Sequence, residues 1–520
     1  TRSAPVVATR IVPKNRPMVV KTKNLPCVTH LSPKRYSICW QFRIWSKISN
    51  LLKQAFCPSP ALQYRMTMPH LTDALKLDPS DLLPLYQQLH DQLRDLILRG
   101  ELLAGAQLPA SRQLAKTLGI GRITVKTAYD RLVAAGFLIT RTGSGTFVAE
   151  LPLPEARSAP VPTLKAWGSR ALSVPQAPSN AGKGLEFDFG FGRTFPHLFP
   201  YDIWRKLLAR YLSTDDTLLD RYGSAAGFAP LRHELVNYLA RMRGVRCAPE
   251  QIVIVNGVQQ ATDILARLFI EPASEVIVES PGYVEAYRLL QVHGAVLRPI
   301  AVDHAGLPVK KLPAHSKATL LFTTPANQFP RGGTMPLARR LALLQWAQTN
   351  DVYIIEDDYD SELRYDGRQV TALQSIDTQG RVIYLGTFSK VLFPALRLAY
   401  VVLPQPLIKP FLATKRLIDR GSATLMQAAI TDFIREGHFD RHLRHLRTAY
   451  GERRQTLVAA LDHYLPELNY GQTQAGLHIM LQLPAGVTEK AVIKSAETHN
   501  LAVYPAAPYA LLPTNPALIL

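Results

Sequence analysis

QIVIVNGVQQATDILARLFIEPASEVIVESPGYVEAYRLLQVHG, residues 251–294, changes its period three times. IVIV is a short, unbroken apolar run stopped by Asn-Gly, which reads as a buried strand. The stretch that follows, NGVQQATDILARLF, spaces its apolar residues by three and four, which reads as a helix. EVIVE then repeats the strand pattern, and VEAYRLLQVHG the helix. Strands that are apolar throughout, alternating with helices, indicate a mainly parallel sheet covered on both faces. Downstream, strands are predicted at ATLLFTT (318–324), VYIIEDD (352–358), RVIYLGTF (381–388) and RLAYVVL (397–403), with a helix at 336–348. Residues 411–462 read as helical, and short strands around 476–483 and 501–504 suggest a smaller C-terminal subdomain.

The N-terminal side has a different character. PLYQQLHDQLRDLILR (84–99) repeats Leu85, Leu89, Leu93, Leu96 and Ile97 at helical spacing. A short helix capped by Ser111 follows, then GRITVKTAYDRLVAAG (121–136), then a hairpin over 137–148 around a Gly-Ser-Gly tip. Three helices and a hairpin form a winged helix-turn-helix, assigned to 79–150. Residues 151–184 carry six prolines and no apolar period, and read as a linker; 185–520 is the α/β domain. The fold class is therefore multidomain, a winged helix followed by an α/β domain.

The charge of +20 is concentrated at the start: residues 1–68 hold twelve Lys or Arg and no Asp or Glu. Residues 1–78 are read as a basic, disordered extension. The alternatives are an arm for nucleic acid and sequence upstream of a chain that begins near Met66 or Met68. Three of the four cysteines lie in that stretch, leaving Cys247 alone in the main body. Neither a metal-ligand spacing nor a disulfide framework is present, which points to the reducing cytoplasm. No apolar run reaches eighteen residues, so no membrane span is predicted.

Two sets of residues carry chemistry. In a helix-turn-helix the start of the second helix reaches base edges in the major groove. Here Arg122, Thr124 and Lys126 are the polar residues at that start, while Ile123, Val125 and Ala128 to Leu132 are expected to face the core. Arg112 and the helix N-terminus at Ser111 suit phosphate. Arg141, with the tip glycines Gly143 and Gly145, forms a wing for the adjacent groove. Residues 112–141 hold six basic residues and one Asp. The expected partner is duplex operator DNA.

The second set centres on GTFSK (386–390). A lysine just after a strand can form a Schiff base with an aldehyde cofactor. Thr387, Ser389 and Arg397 surround a place for phosphate. IIEDDYD (354–360) supplies Asp357 for a pyridine nitrogen and Tyr359 for a phenolic oxygen. NGVQQ opens a helix whose first amides, from Val258 and Gln259, together with the Gln259 side chain, can hold phosphate. SPGY supplies Tyr283 to stack on a ring. The cofactor this order of groups suits is pyridoxal 5′-phosphate, with Lys390 as the reactive residue.

LPASRQLAKTLGIGRITVKTAYDRLVAAGFLITRTGSGTFV (108–148) resembles the GntR-type winged helix, with Gly121 where that family has a Ser or Thr cap. With RYGSAAGFAPLR, SPGY, NQFPRGG, IIEDDYDSELRYDGR, VIYLGTFSKVLFPALRLAYVVLP and EGHFDRHLRHLR, the whole resembles the MocR-type subfamily of GntR regulators. These join a winged helix to a fold-type-I aminotransferase-like domain. The resemblance implies Lys390 as the Schiff-base lysine, Asp357 on the ring nitrogen, Tyr283 stacking and Arg397 on phosphate. It also implies Tyr222 reaching the phosphate of a partner subunit in a homodimer. Ser224, Ala225 and Ala399 depart from the pattern, and Asn327 or Gln328 stands for the asparagine of the aminotransferase N-P-x-G motif. The family continues past PALIL (516–520) with a strand and a helix, so the C-terminus reads as truncated and no carboxylate-clamping arginine is named.

The resemblance thus implies a regulator that senses a small amino compound, or the cofactor itself, and changes the spacing of two winged helices. The alternatives are a working aminotransferase with a DNA-binding appendage and a truncated, inactive relative.

Overall fold

The computed structural model describes residues 68–151, 163–175, 184–192, 194–212, 220–367, 369–471 and 474–520. The chain divides into two compact units, residues 1–161 and 162–520.

The first unit contains α1 (Met68–Ala74), α2 (Leu85–Leu98), β1 (Gln107–Leu108), α3 (Ser111–Leu118), α4 (Arg122–Ala134), β2 (Leu138–Arg141) and β3 (Gly145–Val148). Its sheet has the order β1-β3-β2, all antiparallel, so the hairpin gains a third strand from the turn after α2. Leu89, Leu93, Leu114, Val125, Ala128 and Leu132 are buried together. Residues 1–67 of the expected extension lie outside the described residues. Its last part is not an extension: Leu71 and Leu75 are buried in the same core. Gln88 and Gln92 on α2 hydrogen-bond the backbone of Asp78 and Lys76, which fixes the segment between α1 and α2.

In the second unit, α5 (Ala166–Ser173) lies inside the stretch read as linker. Its Arg170 Nε donates to the Val292 carbonyl at 2.7 Å, and its Trp167 ring meets His293 edge-on at 6.1 Å. There follow β4 (Phe187–Asp188), α6 (Tyr201–Leu212), α7 (Ala229–Arg243), β5 (Ile252–Val255), α8 (Val258–Phe269), β6 (Glu275–Ser280), α9 (Val284–His293), β7 (Val296–Ala301), β8 (Ala318–Thr323), α10 (Leu337–Thr349), β9 (Tyr353–Asp358), β10 (Val382–Thr387) and β11 (Ala399–Val402). Strands β5 to β11 form one seven-stranded sheet, order β5-β11-β10-β9-β8-β6-β7. All neighbours are parallel except those of β11, which runs against both β10 and β5.

Alternate residues of the strands feed two cores. Val253, Val255, Ile383 and Leu385 pack on one face of the sheet, and Ile252, Ile254, Tyr384 and Tyr400 on the other. β7, unpredicted, is one of the two edge strands and carries Pro299, which an edge tolerates.

After the sheet come α11 (Gln405–Asp419), α12 (Thr424–Arg435), α13 (His438–Tyr464), β12 (Met480–Gln482), α14 (Glu489–Thr498), β13 (Leu501–Ala502), β14 (Tyr504–Pro505) and β15 (Ala517–Ile519). The last residues are internal to the small subdomain: β15 lies between β12 and β14. Among the described residues no helix is long and apolar enough to cross a membrane.

Candidate functional site

The strands β5, β6, β8, β9 and β10 point the same way, so the loops that leave their C-terminal ends meet at one edge of the sheet. That edge is where ligands bind in open α/β sheets. The segments Asn256–Gly257, Pro281–Tyr283, Thr324–Phe329, Tyr359–Asp360 and Phe388–Lys390 all start there.

A cavity of about 350 Å³ lies at this edge. Gly257, Val258, Gln259, Tyr283, Asp357, Tyr359, Thr387, Ser389, Lys390 and Arg397 line it, joined by Phe191, Gly192, Phe329, His478 and Tyr509. Lys390 is held inside, its Nζ 3.4 Å from the Gly192 carbonyl. Burial pushes its ammonium below the ordinary lysine value, opposed by Asp360 and Asp357. A lowered amine of that kind loses its proton more easily and is the more nucleophilic for it.

Asp357 is 5% exposed, and its Oδ1 has no hydrogen-bond partner. Burial pushes its carboxyl up to about 7, with Asp358 adding to the rise and Lys390 opposing it. A buried acceptor left open in a cavity is a place for a donor that comes with a ligand. Its neighbours on β9 lie outside the cavity and bond elsewhere, although Asp358 Oδ1 is also buried without a partner. Asp358 accepts from Arg243 Nε at 2.7 Å and from the Tyr384 hydroxyl at 2.6 Å, and Glu356 accepts from the backbone of Leu373 and Gln374. Of the three carboxylates on β9, Asp357 is the one that faces the cavity.

The phosphate end is built by α8. Gly257, at φ 96°, precedes its first residue, and a Cβ there would sit 2.9 Å from the Arg397 guanidinium. The amides of Val258 and Gln259 open the helix and have no acceptor within it. The Gln259 side chain does not take the role expected of it. Its Nε2 donates to the Glu285 carbonyl, and its Oε1, an acceptor, is buried without a partner. Thr387 Oγ1 accepts from the Ser389 amide at 3.1 Å, which folds that turn around the cavity wall. Arg397 donates to the Asn256 carbonyl at 3.1 Å.

Asn327 lies behind the cavity, its Nδ2 3.2 Å from the Tyr359 hydroxyl and 2.9 Å from Asp360. Gln328 is fully used, donating to Glu279, Pro281 and Phe329. Tyr359 is wedged between Phe329, edge-on at 5.9 Å, and His478, stacked at 6.4 Å. Tyr222 is not brought into this cavity: it is 79% exposed, with Arg420 over its ring at 4.3 Å.

Phe191, Gly192, Phe329, His478 and Tyr509 were not foreseen. His478 Nε2 lies 3.1 Å from the Pro330 carbonyl, and burial pushes the imidazole down to about 4. The ring is therefore neutral, with its proton on Nε2. The glycine–aromatic run FDFGFG (187–192) was the available signal for Phe191 and Gly192.

In the first unit Arg112, Arg122, Lys126, Arg141, Gly143 and Gly145 are exposed, and Ser111 and Thr124 half-buried. Two expectations need correction. Ser111 is the first helical residue of α3, not its cap; Ala110 takes the cap position and no side chain caps the helix. Ile123 does not face the core but is 81% exposed, and within Ala128 to Leu132 the side chains of Asp130 and Arg131 are exposed as well. At the wing tip Gly145 has φ 115°, and a Cβ would sit 2.9 Å from Gln107 Nε2, which holds the tip by donating to the Ser144 carbonyl. Arg141 stacks on Phe147 at 4.9 Å. Among the described residues no group of His, Cys, Asp and Glu is arranged for a metal.

Residues 194–516 match the family of aminotransferases class I and II, and residues 85–148 match the gntR family of bacterial regulatory proteins. The chain is similar to the probable rhizopine catabolism regulatory protein MocR of Rhizobium meliloti, 37% identical over 436 residues, 81% of this chain and 86% of that protein. It is similar to the pyridoxine biosynthesis transcriptional regulator PdxR of Corynebacterium glutamicum, 33% identical over 408 residues, 78% of this chain and 85% of that protein. The α-aminoadipate aminotransferase LysN of Thermus thermophilus, solved with N-(5′-phosphopyridoxyl)-L-leucine, aligns with a TM-score of 0.59 at 28% identity, covering 65% of this chain and 87% of that chain.

Proposed function

Because the chain belongs to the MocR-type subfamily of GntR regulators, and is thus a DNA-binding regulator with an aminotransferase-like domain, we propose that its cavity holds pyridoxal 5′-phosphate and senses a small amino compound. The observation that carries this reading is the pairing, in one cavity, of a buried Lys390 with a buried Asp357 oxygen that lacks a donor. The residues fit the cofactor: Lys390 for its aldehyde, Asp357 for its ring nitrogen, Tyr283 for its ring face, and the Val258 and Gln259 amides with Thr387, Ser389 and Arg397 for its phosphate. When bound, the cofactor supplies a carbonyl carbon open to primary amines and an electron-poor ring.

This chain's own residues do the rest. Burial lowers the Lys390 amine from the ordinary lysine value, which favours its exchange with an incoming amine. Asn327 fixes the Tyr359 hydroxyl, and Asp360 fixes Asn327. Phe191, Phe329 and Tyr509 narrow the opening and exclude water. The exposed Tyr222 is proposed to complete the phosphate site of a second copy in a homodimer. DNA binding is assigned to α4, with Arg122, Thr124 and Lys126 toward base edges. Arg112 and the α3 N-terminus at Ser111 are assigned to phosphate, and Arg141 with Gly143 and Gly145 to the wing. A cytoplasmic location fits this role.

The test is an absorption spectrum of the purified protein with pyridoxal phosphate, titrated with candidate amines, followed by DNA binding under the same conditions. Spectral change without any change in DNA binding would refute sensing. The second reading, a working aminotransferase, is favoured by the alignment with LysN. It predicts sustained turnover of an amino acid with a keto-acid acceptor, over many cofactor equivalents.

A further inference from the structure

The core face of α4 consists of Val125, Ala128, Tyr129 and Leu132, all buried. At 3.6 residues per turn Leu132, nine positions after Ile123, lies about 180° around the helix from it. Ile123 therefore sits at the middle of the face opposite the core, with 81% of its surface in water. Lys126 and Thr127 lie one turn along on the same face. Arg122 and Thr124 flank it, and Asp130 comes two turns along. The residues around Ile123 in the first turn and a half are thus basic or hydroxylic.

Neither packing nor propensity accounts for an isoleucine there. It contributes nothing to the core, and a β-branched residue forms helix less readily than Arg, Lys or Gln. In the major groove one base pair offers an apolar feature, the C5-methyl of thymine, and apolar side chains contact it. We propose that Ile123 reads a thymine methyl in the operator. The proposal rests on the assignment of α4 to the major groove. Arg122 and Ile123 are consecutive, so their Cα atoms are about 3.8 Å apart, and successive bases are about 3.4 Å apart. The thymine thus falls within about two base pairs of the base contacted by Arg122.

The experiment starts from a random duplex library selected with the full chain, then compares the enriched site with its copy carrying deoxyuridine for thymine. Uracil keeps every hydrogen-bonding edge and lacks only the methyl. The wild-type chain is expected to lose about fourfold in affinity, the effect of one buried methyl-sized group, when the thymine that Ile123 reads is substituted, and nothing from that residue at other thymines. Ile123→Ala is expected to bind the thymine site about fourfold more weakly and to be indifferent to uracil. Its melting temperature should match the wild type, because the side chain it loses is exposed. Arg122→Ala is expected to lose affinity yet keep its sensitivity to uracil. Equal wild-type affinity for the two duplexes, or a uracil penalty that persists in Ile123→Ala, overturns the proposal while leaving DNA binding intact. Failure of the full chain to enrich any site overturns the DNA-binding assignment itself.

Discussion

Asp357→Asn tests the cofactor cavity without the cofactor. The folded chain holds the Asp357 proton up to about pH 7, against an ordinary value of 3.8. The unfolded chain releases its proton near 3.8, so between pH 4 and 7 rising pH favours unfolding. Complete above pH 7, that cost is about 4 kcal/mol at about 1.4 kcal/mol per pH unit. Asparagine does not ionise and escapes it, but it buries an amide N–H that lacks an acceptor, which costs about 1–3 kcal/mol. Cofactor-free Asp357→Asn is therefore expected to be less stable than wild type at pH 4 and more stable at pH 8. Adding pyridoxal phosphate should reverse the order at pH 8, because only the wild type has a carboxylate to pair with the protonated ring nitrogen. Denaturant melts at several pH values, with and without cofactor, measure all of this. A wild-type minus variant difference that is flat from pH 4 to 8, or equal stabilisation of both by the cofactor, would show that Asp357 is not the open group in the cavity.

Lys390→Ala should abolish the visible absorption of bound cofactor while the winged unit melts as before; an unchanged spectrum would remove Lys390 from the site. Arg122→Ala should weaken specific binding by about 1–3 kcal/mol if it reads a guanine. Arg112→Ala should weaken all sequences alike and flatten the salt dependence, as loss of a phosphate contact does; a changed sequence preference in Arg112→Ala would contradict that division. Deleting residues 1–67 should leave operator binding intact, whereas Leu71→Ala and Leu75→Ala should each destabilise the winged unit by about 2–5 kcal/mol, as truncation of buried leucines does. Denaturant midpoints of the isolated signal from that unit separate the two outcomes.

The sheet was legible because strands buried on both faces must be apolar throughout, as IVIV and EVIVE are. What escaped was whatever breaks that rule. VLRPIA is β7, an edge strand only partly buried, so its Arg and Pro hid it. The helix Met68–Ala74 escaped because two leucines in a short segment show no period, and only the tertiary core reveals what they cover. Ile123 was misplaced because alternation with Val125 suggests one face, whereas on a helix two positions apart are about 200° apart. In the cavity, Asp357 at the end of β9 and Thr387 and Lys390 at the end of β10 could be ordered from sequence, since both strands are legible. His478 and Tyr509 could not, because they arrive from the small subdomain, more than eighty residues further on, with no local pattern announcing it. The Gln259 side chain was a plausible anion ligand by position, and its bond to the Glu285 carbonyl is a tertiary fact.

Helix α5 has a further consequence, for the pair of helices that open at the cavity. Val292 is in the last turn of α9, where carbonyls have no donor from the helix itself, and Arg170 Nε supplies one at 2.7 Å. Trp167 lies edge-on to His293, and His293 Nε2 is 2.7 Å from Asp263 on α8. α5 is thus a clasp on the far end of α9 and, through His293, on α8, two helices whose near ends follow Tyr283 and carry the Val258 and Gln259 amides. Cutting the clasp with Arg170→Ala would loosen that hold without touching a residue that lines the cavity.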